Sequence, residues 1–115
     1  MYKLKLHKNL TLEKWSKFKK HQQILMIANE INRLLNGLDK QTLAELTECM
    51  ERAIELIDLT INSHEKNLRK ELLRFRDLFA INYLHDRESL KKARPQIAIL
   101  LHTLLFLDSK SAKTV

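Results

Sequence analysis

Glycine and proline occur once each among these 115 residues, as Gly37 and Pro95. Tight β-turns depend on such residues, so the chain has little material for hairpins or a barrel. Leu, Lys, Glu, Ile and Ala, which favour helix, are abundant instead. The length suits one domain with one hydrophobic core. The sequence therefore predicts a single all-α domain over residues 1–115.

Hydrophobic periodicity divides the chain into four helices. Within each of them, apolar residues recur every three or four positions, which is typical of a helix that buries one face. The predicted ranges are about 12–35, about 43–61, 66–84, and a last helix that follows residues 85–89 and ends at Leu107. Four such helices predict an up-down antiparallel four-helix bundle.

Particular residues mark the breaks between the first helices. Gly37 is the expected left-handed cap of the first helix, because glycine adopts that conformation without steric cost. Thr42 and Glu45 have the spacing of a capping box, in which each side chain binds a backbone amide at the start of a helix. The second helix is therefore predicted to begin at this point.

The later breaks leave alternatives. Residues 62–65 are interpreted as a turn, because one continuous helix from residue 43 to residue 84 would extend about 60 Å without a folded-back partner. Pro95 lies either in the first turn of the last helix or at a kink within it.

Both ends of the chain are predicted to be appendages. Residues 1–10 are a basic arm in which Tyr2, Leu4 and Leu6 alternate with Lys and His, as in a strand. Because no second strand is predicted, this arm is either disordered or packed on a neighbouring subunit, and disorder is the preferred interpretation. Residues 108–115 are predicted to be a flexible tail.

Cysteine content and hydropathy indicate the compartment. Cys49 is the one cysteine, which excludes an intrachain disulfide and fits a reducing environment. No charged-then-apolar leader opens the chain, and the most apolar run, residues 97–107, is shorter than the roughly 20 residues that span a bilayer. We therefore expect a cytoplasmic protein with no membrane partner.

The formal charge of +7 is unevenly distributed. Residues 1–20 contain seven Lys and one acid, whereas residues 42–62 contain five acids and one Arg. Residues 66–76 and the segment from residue 89 onward are basic again. A molecule with one acidic helix and several basic elements could bind an acidic partner through its basic elements, or could stack its acidic face on the basic face of another copy.

The residue types that usually form catalytic or metal sites do not occur here at the spacings that such sites require. The five His are scattered, and no paired Cys or His spacing resembles a zinc site. Cys49 has acidic neighbours, which oppose thiolate formation, so a structural role is favoured. Glu48, Glu51, Glu55 and Asp58 follow one helical stripe, but a di-iron bundle would require Glu-x-x-His motifs. We therefore expect a solvated acidic face, no metal, no cofactor and no enzymatic activity.

Cationic side chains are the remaining candidate site. They recur at helical spacing in the third helix and form a second cluster near the start of the first. The predicted nucleic-acid-binding residues are Lys66, Arg69, Lys70, Arg74, Arg76, Lys14, Lys17, Lys19 and Lys20. Such a row favours contact with phosphates without reading bases. The alternative is an ordinary solvated face in which Glu65, Glu71 and Asp77 pair with these cations.

The last helix is apolar on nearly every side from Ile97 onward. One face is expected to pack inward and the other to contact a second protein surface, which indicates a homo-oligomer with Ile99, Leu101 and Leu105 at its interface. The alternative is a central helix surrounded by the three other helices of its own chain.

Four segments resemble a known family. A basic entry into the first helix ("KFKKHQQILMIANEINRLL"), a second helix after a short loop, a third containing "ELLRFRDLF" and an apolar fourth ("ARPQIAILLHTLLFL") are similar to the accessory variability determinant family of diversity-generating retroelements. That family is related in fold to the four-helix proteins encoded in ribosomal RNA intervening sequences. The likeness covers residues 14–107, with Leu73-Arg74-Phe75 as its local sequence match. The chain departs from the family in "LLFLDSK", which lacks the family's Gly and Trp.

The resemblance implies a function. It implies a ring-like homo-oligomer, a pentamer, that has no catalytic activity and binds a reverse transcriptase and nucleic acid through its basic surface. Arg74 is carried over by the matching motif. The predicted protein is therefore a self-associating basic accessory protein that binds RNA, DNA or a hybrid. The alternative is a small helical protein-protein interaction module, whose apolar fourth helix is the functional surface and which has no nucleic-acid role.

Overall fold

The computed structural model describes residues 11–63 and 66–113, and every regular element among them is helical. The elements are α1 (Leu12–Ser16), α2 (Lys20–Gly37), α3 (Leu43–Ser63), α4 (Lys66–Ala80), a 3₁₀ helix (Ile81–Leu84), α5 (Arg87–Lys92), α6 (Arg94–Leu105) and α7 (Ser109–Ala112). The all-α prediction is confirmed, and α2, α3, α4 and α6 are the longest helices. The predicted basic arm, residues 1–10, lies outside the described residues.

The predicted first helix is wrong as one continuous element, because it breaks between Ser16 and Lys20. Side chains compete for its backbone groups. The Ser16 hydroxyl donates to the carbonyl of Leu12 at 2.6 Å, and the Gln23 amide donates to the carbonyl of Trp15 at 2.8 Å. Such local hydrogen bonds offer the backbone an alternative to the helix, so α1 and α2 are separate.

Gly37 is not a left-handed cap. No described residue has a positive φ, and Gly37 is the last residue of α2. A Cβ atom at this position would collide with Oε1 of Gln41, whose side chain folds back over the glycine. The backbone N–H of Gln41 also donates to the carbonyl of Gly37 at 2.8 Å. Gly37 therefore does not serve a left-handed backbone conformation, and the flexible end of the Gln41 side chain is what a larger residue here would displace.

The predicted capping box at the start of α3 is confirmed. The backbone N–H of Thr42 donates to the Glu45 carboxylate at 3.1 Å, and the backbone N–H of Glu45 donates to the Thr42 hydroxyl at 3.2 Å. Two amides that have no partner within the helix are satisfied in this way.

The chain reverses direction between α3 and α4. Nε of Arg76 lies 2.5 Å from a carboxylate oxygen of Asp58, 18 residues earlier. In one continuous helix these residues would be about 27 Å apart, so the continuous alternative is wrong. The predicted turn at 62–65 includes His64 and Glu65, which lie outside the described residues.

The predicted fourth helix is divided at Ala93 into α5 and α6. Asp86 caps α5 by accepting a hydrogen bond from the backbone N–H of Ser89 at 2.8 Å. Pro95 lies in the first turn of α6, where its missing N–H removes no helical hydrogen bond. The first-turn alternative for Pro95 is thus correct, and the helix that it starts is shorter than predicted.

One hydrophobic core connects the long helices. α2 packs on α3 and α6, α3 packs on α4, and α4 packs on α6. Trp15 of α1 is fully buried against α3, where its indole N–H donates to the Thr60 hydroxyl at 3.0 Å. Within the predicted tail, α7 packs on α2, and the buried Ser111 hydroxyl donates to the carbonyl of Leu105 at 2.6 Å.

Candidate nucleic-acid interface

The apolar stripe of α4 determines which of its cations face outward. Four side chains of this helix are buried, and they are Leu68, Leu72, Phe75 and Phe79. Successive residues of a helix are rotated by about 100°, so Lys70 and Arg74 lie on the side opposite this stripe. Both are exposed. The core packing of α4 therefore presents these two cations to solvent, one helical turn apart.

Lys70 and Arg74 are also unengaged. Within residues 11–63 and 66–113, neither side chain makes a hydrogen bond or an ion pair. Glu71 and Asp77 are exposed on the same helix and are not paired with them. The alternative in which Glu71 and Asp77 pair with these two cations is not seen, and Glu65 lies outside the described residues. The ammonium group of Lys70 and the guanidinium group of Arg74 therefore remain available to bind an anion.

Arg69 and Arg76 have a different role, because both bind α3. Arg76 donates to both carboxylate oxygens of Asp58, at 2.5 and 3.3 Å. Nε of Arg69 donates to the carbonyl of Ile61 at 3.1 Å, close to the end of α3. Bidentate arginine–carboxylate contacts fix orientation as well as charge. These two predicted site residues therefore hold α4 against α3. The remaining predicted residue of this helix, Lys66, is its first residue, and its side chain lies outside the described set.

The second predicted cluster surrounds the break between α1 and α2. Lys17 and Lys19 are exposed, and the backbone N–H of Lys19 donates to the Gln22 side chain at 2.8 Å. Lys20 is half-buried, and its ammonium group lies 3.9 Å from the Asp108 carboxylate. Lys14 is also exposed, but it already takes part in an interaction within the molecule. Lys17 and Lys19 are thus the most accessible cations of this cluster.

The two clusters lie on different flanks of α3. α1 is attached through the hydrogen bond between Trp15 and Thr60, whereas α4 is attached through the ion pair between Arg76 and Asp58. Thr60 and Asp58 are two residues apart, and side chains at that spacing point about 200° apart around a helix. The structure therefore does not combine the two predicted clusters into one face.

The acidic residues of α3 are partly used inside the molecule. Arg52 donates to Glu48 at 2.7 Å and to the buried Glu30 of α2 at 3.2 Å, and its guanidinium also lies 3.7 Å from Sγ of Cys49. Burial works to lower the pKa of Arg52, but the hydrogen bonds that Arg52 donates to Cys49 and Glu30, with the charge of Glu30, outweigh it, so the pKa is raised. This network joins α2 to α3 and leaves Cys49 buried.

The predicted oligomer residues divide between core and surface. Leu101 and Leu105 are only 8% exposed and belong to the protomer's own core, whereas Ile99 is 65% exposed. Sequence reasoning missed Phe106, which is 64% exposed and follows Ile99 by two helical turns on the same side of α6. The seven-residue spacing was a signal for this pair, but an apolar helix hides which side faces solvent.

Two shallow grooves meet at Ile99. One has a volume of about 670 Å³ along α6 and includes His102 and Phe106. The other, of about 560 Å³, is lined by Leu78 and Ile81 among others and lies between the end of α4 and α6. Ile99 lines both, so the exposed apolar surface is continuous from α4 to the end of α6.

Other kinds of site were sought in the part of the chain that the structure describes. No group of three His, Cys, Asp or Glu side chains there could hold a metal ion. No helix within those residues has the combined length and apolar character that crossing a bilayer requires. Comparisons of the chain with protein-family models, curated proteins and solved structures each give no match. What the chain does is therefore inferred from its own side chains.

Proposed function

We propose that the protein is a non-enzymatic accessory protein that binds the phosphate backbone of nucleic acid through the outward face of α4. The observation that carries this proposal is the pair Lys70 and Arg74, which are exposed, one turn apart and free of ion pairs within the described residues. The overall charge of +7 favours the same class of partner.

Binding of this kind works by displacing counterions from the nucleic acid. Lys70 and Arg74 replace condensed cations at phosphates, and Arg74 can bind two phosphate oxygens at once. No base-reading element accompanies them on this face, so affinity is largely independent of sequence and falls steeply with salt. Lys17 and Lys19 lie on another flank of α3, so they serve a separate contact or a long strand that wraps the molecule.

The finer architecture and partners are part of the same proposal. Short connections and the packing of α2, α3, α4 and α6 around one core support an up-down antiparallel four-helix bundle. Exposed Ile99 and Phe106 support self-association through α6. The family resemblance adds a ring-like oligomer, a pentamer, and a reverse-transcriptase partner, and the single cysteine favours a cytoplasmic location.

Fluorescence anisotropy tests the basic face directly. Full-length protein is titrated into labelled single-stranded RNA, duplex DNA and an RNA–DNA hybrid at several salt concentrations. The double variant Lys70→Glu with Arg74→Glu should lose binding and keep its helical circular dichroism. If two phosphate contacts are lost, the slope of log affinity against log salt should fall by about two.

A matched control separates the face from the net charge. Lys40 and Lys113 are exposed and lie outside α4, so Lys40→Glu with Lys113→Glu changes the charge by the same amount. This control should retain most of the binding. Equal losses in the two double variants, or full binding by the α4 variant, would reject α4 as the nucleic-acid surface.

A second candidate function is a protein-protein interaction module. The specific observation in its favour is the continuous apolar surface of Leu78, Ile81, Ile99 and Phe106. In that case Ile99→Arg abolishes partner binding, salt has little effect, and the α4 double variant behaves as the unmodified protein does.

A further inference from the structure

An exposed aromatic ring lies between two cations at the break between α1 and α2. Phe18 is 39% exposed, and its neighbours Lys17 and Lys19 are exposed as well. Within the part of the chain that the structure describes, neither of these ammonium groups makes an ion pair. The sequence contains no acid from residue 14 to residue 29. The break therefore presents an aromatic surface with positive charge on both sides.

Hydrogen bonds fix the backbone of this break. The backbone N–H of Phe18 donates to the carbonyl of Trp15 at 3.1 Å, and the backbone N–H of Lys19 donates to the Gln22 side chain at 2.8 Å. The same Trp15 carbonyl accepts a hydrogen bond from the side-chain amide of the buried Gln23 at 2.8 Å. Because these backbone groups already have partners, little ordering of the break is needed when it binds a ligand.

The ring of Phe18 is supported from inside the molecule. Its centroid lies 5.7 Å from that of the fully buried Trp15, and the two ring planes are inclined by 62°. The indole of Trp15 is itself held by its hydrogen bond to Thr60, at 3.0 Å. In an edge-to-face contact of this kind the two rings do not stack, so the exposed part of Phe18 remains available to a flat group from outside.

We propose that Lys17, Phe18 and Lys19 form a binding site for single-stranded nucleic acid, in which an unpaired base stacks on Phe18 and the lysines contact neighbouring phosphates. A ring between two cations matches a strand in which flat bases accompany a phosphate backbone. Every base has a π-face, so the contact does not depend on sequence. The bases of a duplex are paired and stacked on one another, so the ring discriminates against duplexes.

The site at Phe18 and the α4 face make different contributions. This inference rests on the proposal that the protein binds nucleic acid, but it does not require Lys70 and Arg74. Those two residues contact phosphates, which single strands and duplexes share. Phe18 contacts a base that only an unpaired strand exposes. Because the two sites lie on different flanks of α3, they can be removed one at a time.

Fluorescence anisotropy with a labelled oligothymidylate and a DNA duplex of the same length tests the site. The variant Phe18→Leu keeps an apolar side chain next to Trp15 and removes the aromatic ring. Its affinity for the single strand should fall at least about fivefold at every salt concentration, and its affinity for the duplex should not change. The variant Phe18→Tyr retains a ring and should restore single-strand binding.

Salt dependence separates the ring from the lysines. Phe18→Leu should leave the slope of log affinity against log salt unchanged, because an uncharged ring displaces no counterions. The double variant Lys17→Gln with Lys19→Gln should lower the slope for the single strand by about 1.4, or about 0.7 for each phosphate contact. An unchanged slope in this lysine variant would overturn the site even if Phe18→Leu disturbed the fold.

A matched control tests whether any exposed ring would have the same effect. Tyr83 is 43% exposed, but it lines a groove with Glu51 and Glu55. Tyr83→Leu should therefore leave both affinities unchanged. The fluorescence of Trp15, the single tryptophan, should be the same in Phe18→Leu as in the unmodified chain if α1 remains folded.

The outcomes distinguish this site from the α4 face. Full single-strand affinity in Phe18→Leu, an equal loss of duplex binding, or an equal loss in Tyr83→Leu would overturn the inference. If single-strand binding survived Phe18→Leu but was abolished by Lys70→Glu with Arg74→Glu, the inference would fail and the proposed function would stand. If the unmodified protein bound neither probe, both would be rejected.

Discussion

The two sides of α4 are built differently. On the α3 side, Arg69 and Arg76 complete polar contacts with Ile61 and Asp58. On the α6 side, Leu78 and Ile81 remain exposed beside Ile99. One helix thus has one side satisfied within the chain and one side that is not. A cation next to an acid of a neighbouring helix is a structural residue, whereas exposed apolar side chains mark where another surface can bind.

The largest effect is expected at the core stripe, on which both sides of α4 depend. Leu72 is fully buried, and Leu72→Ala should lower the free energy of unfolding by about 2–5 kcal/mol, because it removes apolar contacts and leaves a cavity. Urea denaturation followed by circular dichroism measures this change. Leu73→Ala is the control, since Leu73 is exposed, and a loss as large at Leu73 would contradict the assignment of the buried face.

The α3 side can be tested with a double-mutant cycle on Arg76 and Asp58. Both side chains are only partly exposed and their contact is bidentate, so we expect a coupling energy of about 1 kcal/mol from urea denaturation of Arg76→Ala, Asp58→Ala and the double variant. The pair Lys91 and Glu88, at 3.7 Å on one exposed helix, should show no measurable coupling. Equal coupling energies would mean that the contact does not fasten α4 to α3.

The difference between these two sides explains what the sequence predicted and what it did not. Periodicity predicts Leu68, Leu72, Phe75, Phe79 and Tyr83 as one core stripe, and the first four are buried whereas Tyr83 is exposed. The Thr42–Glu45 spacing identified the start of α3, because that signal is local. Spacing places Arg74 and Arg76 on adjacent lines of the basic face, but it does not show that Arg76 has an acidic partner on α3. Only the reversal between α3 and α4 brings Asp58 to Arg76.

Other misses have the same origin in tertiary contacts. The break at residues 17–19 coincides with the hydrogen bond from the Gln23 amide to the carbonyl of Trp15, and Gly37 ends α2 without a positive φ. Leu101 and Leu105 were grouped with Ile99 because α6 is apolar on most sides, so periodicity could not separate its buried face from its exposed one.

The connection that leads from α4 to α6 gives a smaller, pH-dependent effect. The hydrogen bond from the backbone N–H of Ser89, the cap contact of α5, lowers the pKa of Asp86 below its ordinary value of 3.8. A lowered pKa means that the cap stabilises the fold above the ordinary value and that this contribution is lost as pH falls through the folded-state pKa.

We therefore expect the stability difference between the unmodified chain and Asp86→Asn to grow smaller below pH 3.8. Asparagine caps a helix without titrating, which makes it the appropriate reference. Thermal unfolding of both chains across acidic pH measures the difference. A difference that stays constant through this range would show that the cap does not depend on the charge of Asp86.

The smallest effect on stability, and the most informative about the open side, is expected at Ile99. Because its side chain is 65% exposed, Ile99→Ser should change the free energy of unfolding by less than about 0.5 kcal/mol. Sedimentation equilibrium should nevertheless show a lower mass than for the unmodified chain if α6 forms the subunit contact. Leu105→Arg is not an equivalent test, since Leu105 is buried and an unpaired charge there destabilises the protomer itself. An unchanged mass for Ile99→Ser and for Phe106→Ser would assign the exposed surface of α6 to a different protein, and the open side of α4 would then be the binding site of the interaction module.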